Sequence, residues 1–146
     1  ISDWDVSAVT NMSHLFEDIT ARIPSLNRWN VSGVTDMSFM FKGSSYNHSL
    51  DEWVVSSVEN MHSMFVGSKF NRPLNAWNVS SVQNMPYMFA FSKYNHPLNA
   101  WDVSSVGNMA CMFCGGAKYN HPLDAWYVSS VTDMSNCSLD PCTTIR

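Results

Sequence analysis

The sequence predicts an α/β repeat: a solenoid of about six turns of 24–25 residues, each made of a short parallel β-strand and a helical turn. Three observations predict it. Tryptophan recurs at Trp4, Trp29, Trp53, Trp77, Trp101 and Trp126, at intervals of 25, 24, 24, 24 and 25. Around each Trp the same apolar residues return in register. A unit this short cannot enclose a core alone, so neighbouring units must cover one another.

Each element follows from the local pattern. In Trp-x-Val-Ser, apolar and polar residues alternate with the period of a strand, placing Trp and Val inward and Ser outward. The six tryptophans are therefore expected as a core ladder, since burying large rings stabilises stacked turns. In Val-x-x-Met-x-x-Met-Phe, spacings of three and four predict one or two helical turns, with the methionines as core filler. Ser, Gly, Lys, Asn, His and Pro then form the return bend. The first bend, Thr20-Ala21-Arg22-Ile23-Pro24, lacks the aromatic-Asn pair found as Tyr46-Asn47, Phe70-Asn71, Tyr94-Asn95 and Tyr119-Asn120, and is expected to be irregular. Residues 1–136 thus form the repeat, and 137–146 a cysteine-bearing tail.

The motif Leu-x-x-Trp-Asp/Asn-Val-Ser-x-Val-x-x-Met-x-x-Met-Phe-x-x-x-x-x-Tyr/Phe-Asn-x-Pro-Leu resembles the repeat of BspA-like leucine-rich-repeat surface proteins, whose Trp-Asp-Val-Ser repeat is also found in mycoplasma surface lipoproteins. The resemblance runs from Trp4 to Met134. It implies a leucine-rich-repeat-like solenoid, a secreted or cell-surface location, and a part in adhesion or surface assembly. No catalytic residues come with it.

Composition narrows the function classes. Charged residues make up 14% of the chain and the formal net charge is -4, so no basic patch is available to neutralise phosphates and nucleic acid is not an expected partner. No apolar window reaches the length of a membrane span, so membrane insertion is not expected either. The chain begins at Ile1, as expected of a processed or excised product. Phosphate loop, nucleophile elbow and His-x-x-x-His pair are all missing from the sequence, and its carboxylates are scattered. The expectation is a non-enzymatic protein without cofactor or metal. His48, His96 and His121 share one repeat position with Arg72 and read as a solvated stripe rather than a metal site.

Residues flanking each Trp vary while the inward ones do not. Arg28, Asn30, Glu52, Val54, Asn78, Asp102 and Tyr127 therefore form a candidate binding face. Sequons at Asn11, Asn30, Asn47, Asn78 and Asn136 are candidate N-glycosylation sites. Asn30, Asn47 and Asn78 are favoured over Asn11, which aligns with Asp36, Asn60, Asn84, Asn108 and Asp133 in a side-chain ladder expected to cap the helical turns. Cys111, Cys114, Cys137 and Cys142 are read as two disulfides stapling the last turn, in preference to a zinc site or free thiols. Cys111–Cys137 with Cys114–Cys142 is the first-choice pairing. The functional expectation is an extracellular structural protein whose copies stack head to tail into a glycosylated fibre. The alternatives are adhesion to another surface protein through the strand face and, more weakly, carbohydrate binding through exposed Tyr46, Phe70, Tyr94 and Tyr119.

Overall fold

The computed structural model describes residues 1–136. They form six stacked coils, one for each tryptophan and beginning at Ile1, Leu26, Leu50, Leu74, Leu98 and Leu123, with each coil lying parallel on the next. The units and their register match the repeat, but their internal structure does not match the predicted elements. Among the described residues there is no helix and no extended strand, so the α/β, leucine-rich-repeat reading is corrected. Isolated parallel bridges link Asn11, Asp36, Asn60, Asn84, Asn108 and Asp133 in series.

The Trp-x-Val-Ser segment fails to form a strand because its backbone groups are used inside the coil. The Trp N–H donates to the Leu carbonyl three residues earlier, as from Trp29 to Leu26 at 3.0 Å. Val34 N–H likewise donates to Val31 at 2.9 Å, and the same bond recurs in every coil. The indole, by contrast, bonds outside its coil. Its Nε1–H reaches the Leu carbonyl of the coil before: Trp53 to Leu26 at 2.9 Å, Trp77 to Leu50 at 3.0 Å, Trp101 to Leu74 and Trp126 to Leu98 at 2.9 Å. A buried ring with one N–H to satisfy thus ties two coils together, which is a reason for Trp over Phe here.

The Met-x-x-Met-Phe segment is not helical because left-handed residues interrupt it. The residue ten after each Trp has positive φ: His14, Phe39, Ser63, Tyr87, Cys111 and Asn136. Fourteen after the first five tryptophans the same holds at Asp18, Gly43, Gly67, Phe91 and Gly115. The chain therefore runs as linked tight turns in which alternate N–H groups do different work. Met40, Lys42 and Ser44 donate to the residue three before, while Met37, Phe39, Phe41 and Gly43 donate to Asn60, His62, Met64 and Val66 of the next coil at 2.8–2.9 Å. An α-helix would keep every one of these bonds within the segment. The spacing of three was real, but it marks a succession of tight turns.

Packing is by like on like. Phe16, Phe41, Phe65, Phe89 and Phe113 stack at 5.6–5.8 Å, and Trp53 on Trp77 and Trp101 on Trp126 at 6.3 and 6.4 Å. Tyr46, Phe70, Tyr94 and Tyr119 lie in this core, Tyr46 and Tyr119 at 2% and 4% exposure and the other two fully buried, so they are not the open sugar platform expected of them. Each packs within its own coil on the preceding Phe at 4.3–4.8 Å. Trp29 through Trp126 are buried, whereas Trp4 is 61% exposed because no coil among the described residues covers its outer side.

Candidate functional site

The candidate binding face is exposed along its length. Most of its polar residues have structural partners, however. Asn30 Oδ1 accepts from Ser32 N–H and Oγ–H at 3.2 and 2.7 Å, and Asn78 does the same with Ser80 at 3.1 and 2.7 Å. Asp5 and Asp102 close the equivalent turns, and the Ser7 and Ser104 donors hold both carboxyls below the usual range. The preference for Asp or Asn after Trp is thus turn chemistry. Val54 and Tyr127, 56% and 70% exposed, replace that residue in two coils and offer apolar surface instead. Arg28 and Glu52 flank the face.

Of the sequon asparagines, Asn11, Asn30, Asn78 and Asn136 are exposed. Asn47 is half-buried, and its Oδ1 accepts the Asn71 N–H at 2.8 Å as the first rung of a ladder continued by Asn71 to Asn95 at 3.0 Å and Asn95 to Asn120 at 3.1 Å. Asn11 Oδ1 accepts from Ser13 N–H at 2.8 Å, and Asp36, Asn60, Asn108 and Asp133 accept likewise from the residue two on. Asn60 and Asn84 also donate to the side chain one coil back, at 3.4 and 3.3 Å. These side chains shape tight turns in the absence of any helix to cap.

At the other end, Cys111 is buried and Cys114 half-buried. Cys111 N–H donates to Ser135 at 2.8 Å. Cys137 and Cys142, and with them the predicted pairing, lie outside the described residues. Among the described residues no three His, Cys, Asp or Glu side chains gather to hold a metal ion, and no helix is long and apolar enough to cross a membrane.

Two features escaped the sequence reading. One is a surface row in which His14 stacks on Phe39 at 4.6 Å, Phe39 meets His62 at 4.7 Å and His62 meets Tyr87 at 6.1 Å. Burial lowers the His62 pKa, and its Nδ1 has no hydrogen-bond partner. The Cys111 thiol beside Tyr87 pushes its hydroxyl up. Glu17 closes the row at its outer end, bonded to His14 and to Lys42 at 2.8 Å, and these donors lower its pKa.

The other is a cleft of about 410 Å³ at the irregular first bend, lined by Thr20, Arg22, Ser45, Asn47, His48 and Arg72, with Ile23 and Tyr46 buried beneath. The expected histidine stripe proves to be structural further along: His96 Nε2 pairs with the Asn71 carbonyl at 3.2 Å and His121 Nε2 with that of Asn95 at 3.1 Å.

No curated protein and no solved structure matches the chain. The family described as "Mycoplasma protein of unknown function, DUF285" matches residues 1–100 and again 44–141. Because these overlapping matches together span nearly the whole chain, the protein belongs to that family.

Proposed function

We propose that the protein is a non-enzymatic structural element whose copies stack head to tail into a fibre outside the cell. The observation that carries this reading is the complementarity of the two outer coils. Coil 1 presents the carbonyls of Asn11, Ser13, Leu15 and Glu17, which have no donor among the described residues, although their equivalents Asp36, Ser38, Met40 and Lys42 each accept one. Coil 6 presents the N–H groups of Met134 and Asn136, which have no acceptor among the described residues, although their equivalents in every earlier coil donate to the next. Thr10 N–H and the Thr132 carbonyl, unmatched among the described residues, form a further pair of opposite sense. Coil 1 of one copy seated on coil 6 of another continues the ladder in register, covers the exposed Trp4 and places its indole N–H at the Leu123 carbonyl. Such a contact joins unlike surfaces and does not close, so it generates a filament.

Asn30 and Asn78 are the sequons best placed for glycans, being exposed on one outer face. The resemblance to BspA-like surface proteins supports the extracellular setting. Light scattering and negative-stain microscopy over a concentration series test the fibre: the native chain forms filaments and Trp4→Asp does not. A native chain that stays monomeric at high concentration overturns the proposal. Adhesion to another surface protein is the second reading, favoured by exposed Val54 and Tyr127. Under that reading, Val54→Ser with Tyr127→Ser abolishes binding to cells while the monomer persists.

A further inference from the structure

We infer that the cleft at the first bend is a binding site for an oxyanion, and that its ligand class is the carboxylate of an acidic sugar. The inference rests on a ladder that stops one rung short. In coils 3, 4 and 5 the bend asparagine N–H donates to the asparagine side chain one coil back, from Asn71, Asn95 and Asn120 in turn. The next residue bonds the same asparagine's carbonyl: Arg72 Nε to Asn47 at 2.9 Å, His96 to Asn71 and His121 to Asn95. Asn47 and His48 hold these places in coil 2, and the His48 ring sits edge-on to Tyr46 at 5.6 Å, as His96 and His121 do to their tyrosines. Coil 1 carries Arg22-Ile23-Pro24 there and supplies no side-chain amide oxygen for the Asn47 N–H. Neither the Asn47 N–H nor the His48 ring has a hydrogen-bond partner among the described residues.

What replaces the missing acceptor is a cleft flanked by two guanidinium groups. Arg22 makes no hydrogen bond or ion pair among the described residues, and Arg72 spends only its Nε, leaving both terminal nitrogens available. No carboxylate lines the cleft. Donors lining one cleft from three successive coils, with two guanidinium groups and no carboxylate, match a planar oxyanion, for which guanidinium has the complementary fork. The volume is in the range of small-molecule sites, with room beyond the anion for a sugar ring whose hydroxyls meet the Thr20 hydroxyl and donate to Ser45 Oγ, whose own O–H is given to the Thr20 and Ala21 carbonyls. The cleft lies on the bend, with Thr20, Arg22 and Ile23 from coil 1 and its other residues from coils 2 and 3.

Titration calorimetry of the native chain at low salt, with glucuronate, inorganic phosphate and glucose as probes, tests the site. Glucuronate is expected to bind at least tenfold more tightly than glucose and more tightly than phosphate. Arg22→Gln and Arg72→Gln each weaken glucuronate at least tenfold, while Lys93→Gln, outside the cleft, leaves it unchanged. Arg72 also holds the Asn47 carbonyl, so Arg22→Gln, on an exposed side chain without protein partners, is the decisive variant should Arg72→Gln misfold. Phosphate binding more tightly than glucuronate overturns the sugar assignment in favour of a free oxyanion. Failure of both anions to bind, or full affinity in Arg22→Gln, overturns the site.

Discussion

Single residues carry the left-handed corners, and the cost of each depends on what surrounds it. Gly67 and Gly115 occupy equivalent corners with φ of 62° and 73°. A Cβ at Gly67 meets nothing within 4 Å, whereas at Gly115 it falls 2.2 Å from the Phe91 ring. Gly67→Ala should therefore cost only the backbone strain of about 1–2 kcal/mol. Gly115→Ala should cost more by whatever it takes to move the ring, and paired melting curves read the difference directly. Phe91 holds the same corner without a glycine's freedom and is 63% exposed, so its ring gains little from burial. Trp77 illustrates the opposite case, a side chain fixed by two requirements. Trp77→Phe preserves much of the packing but removes the indole bond to the Leu50 carbonyl, which keeps the Trp53 N–H, for a loss of about 0.5–1.5 kcal/mol. Trp77→Ala adds a cavity and should cost about 3–5 kcal/mol by urea denaturation.

Within one coil, the elements are tight turns joined by side-chain ladders, and their stability has a pH signature. Burial beside Phe39 and Tyr87 disfavours the charged form of His62, so the unfolded chain takes up that proton more readily than the folded one. Stability should be unaffected above the ordinary histidine value of 6.5 and should fall as pH drops below it. His62→Gln should flatten the melting temperature between about pH 7 and 5. The lowered carboxyls of Asp5, Glu17, Asp51, Asp102 and Asp133 act in a lower window, losing their contribution as they protonate below about pH 4.

The elements were the least legible part of the sequence. Period, register and the buried positions could be read because Trp, Val, Met and Phe return at fixed places and stacking demands that they meet. The secondary structure could not, because a run of three-residue turns and a helix share the same apolar spacing. What separates them is backbone sign, and residues as unlike as Phe39, Ser63, Tyr87 and Cys111 occupy the same left-handed corner. A glycine at Gly43, Gly67 and Gly115, fourteen after Trp in three coils, was the one local hint. The cleft was legible in part: the first bend stood out as irregular, but a ladder must be seen before its missing rung can be.

At the scale of the molecule, the hydrogen bonds and ring contacts among the described residues join adjacent coils, so stability should be distributed as in a one-dimensional chain of coupled units. A middle coil has two neighbours and an outer one has a single neighbour. The hydrogen bonds themselves do not differ: Met12 N–H donates to Asp36 at 2.9 Å, and Met61 N–H to Asn84 at 2.8 Å. If bond geometry alone set protection, these amides would exchange with deuterium at similar rates. Nearest-neighbour coupling predicts otherwise, because opening coil 1 breaks one interface while opening coil 3 breaks two. Met12, His14 and Phe16 should exchange well ahead of Met61, Ser63 and Phe65 in dilute solution. Raising the concentration adds a test of the proposed stacking, in which a copy seated on coil 1 would give it a second neighbour. Exchange there should slow while the middle coils stay as they were. Equal rates along the whole chain would instead mean that all six coils open together, and an unchanged coil 1 at high concentration would leave the outer surface without its partner.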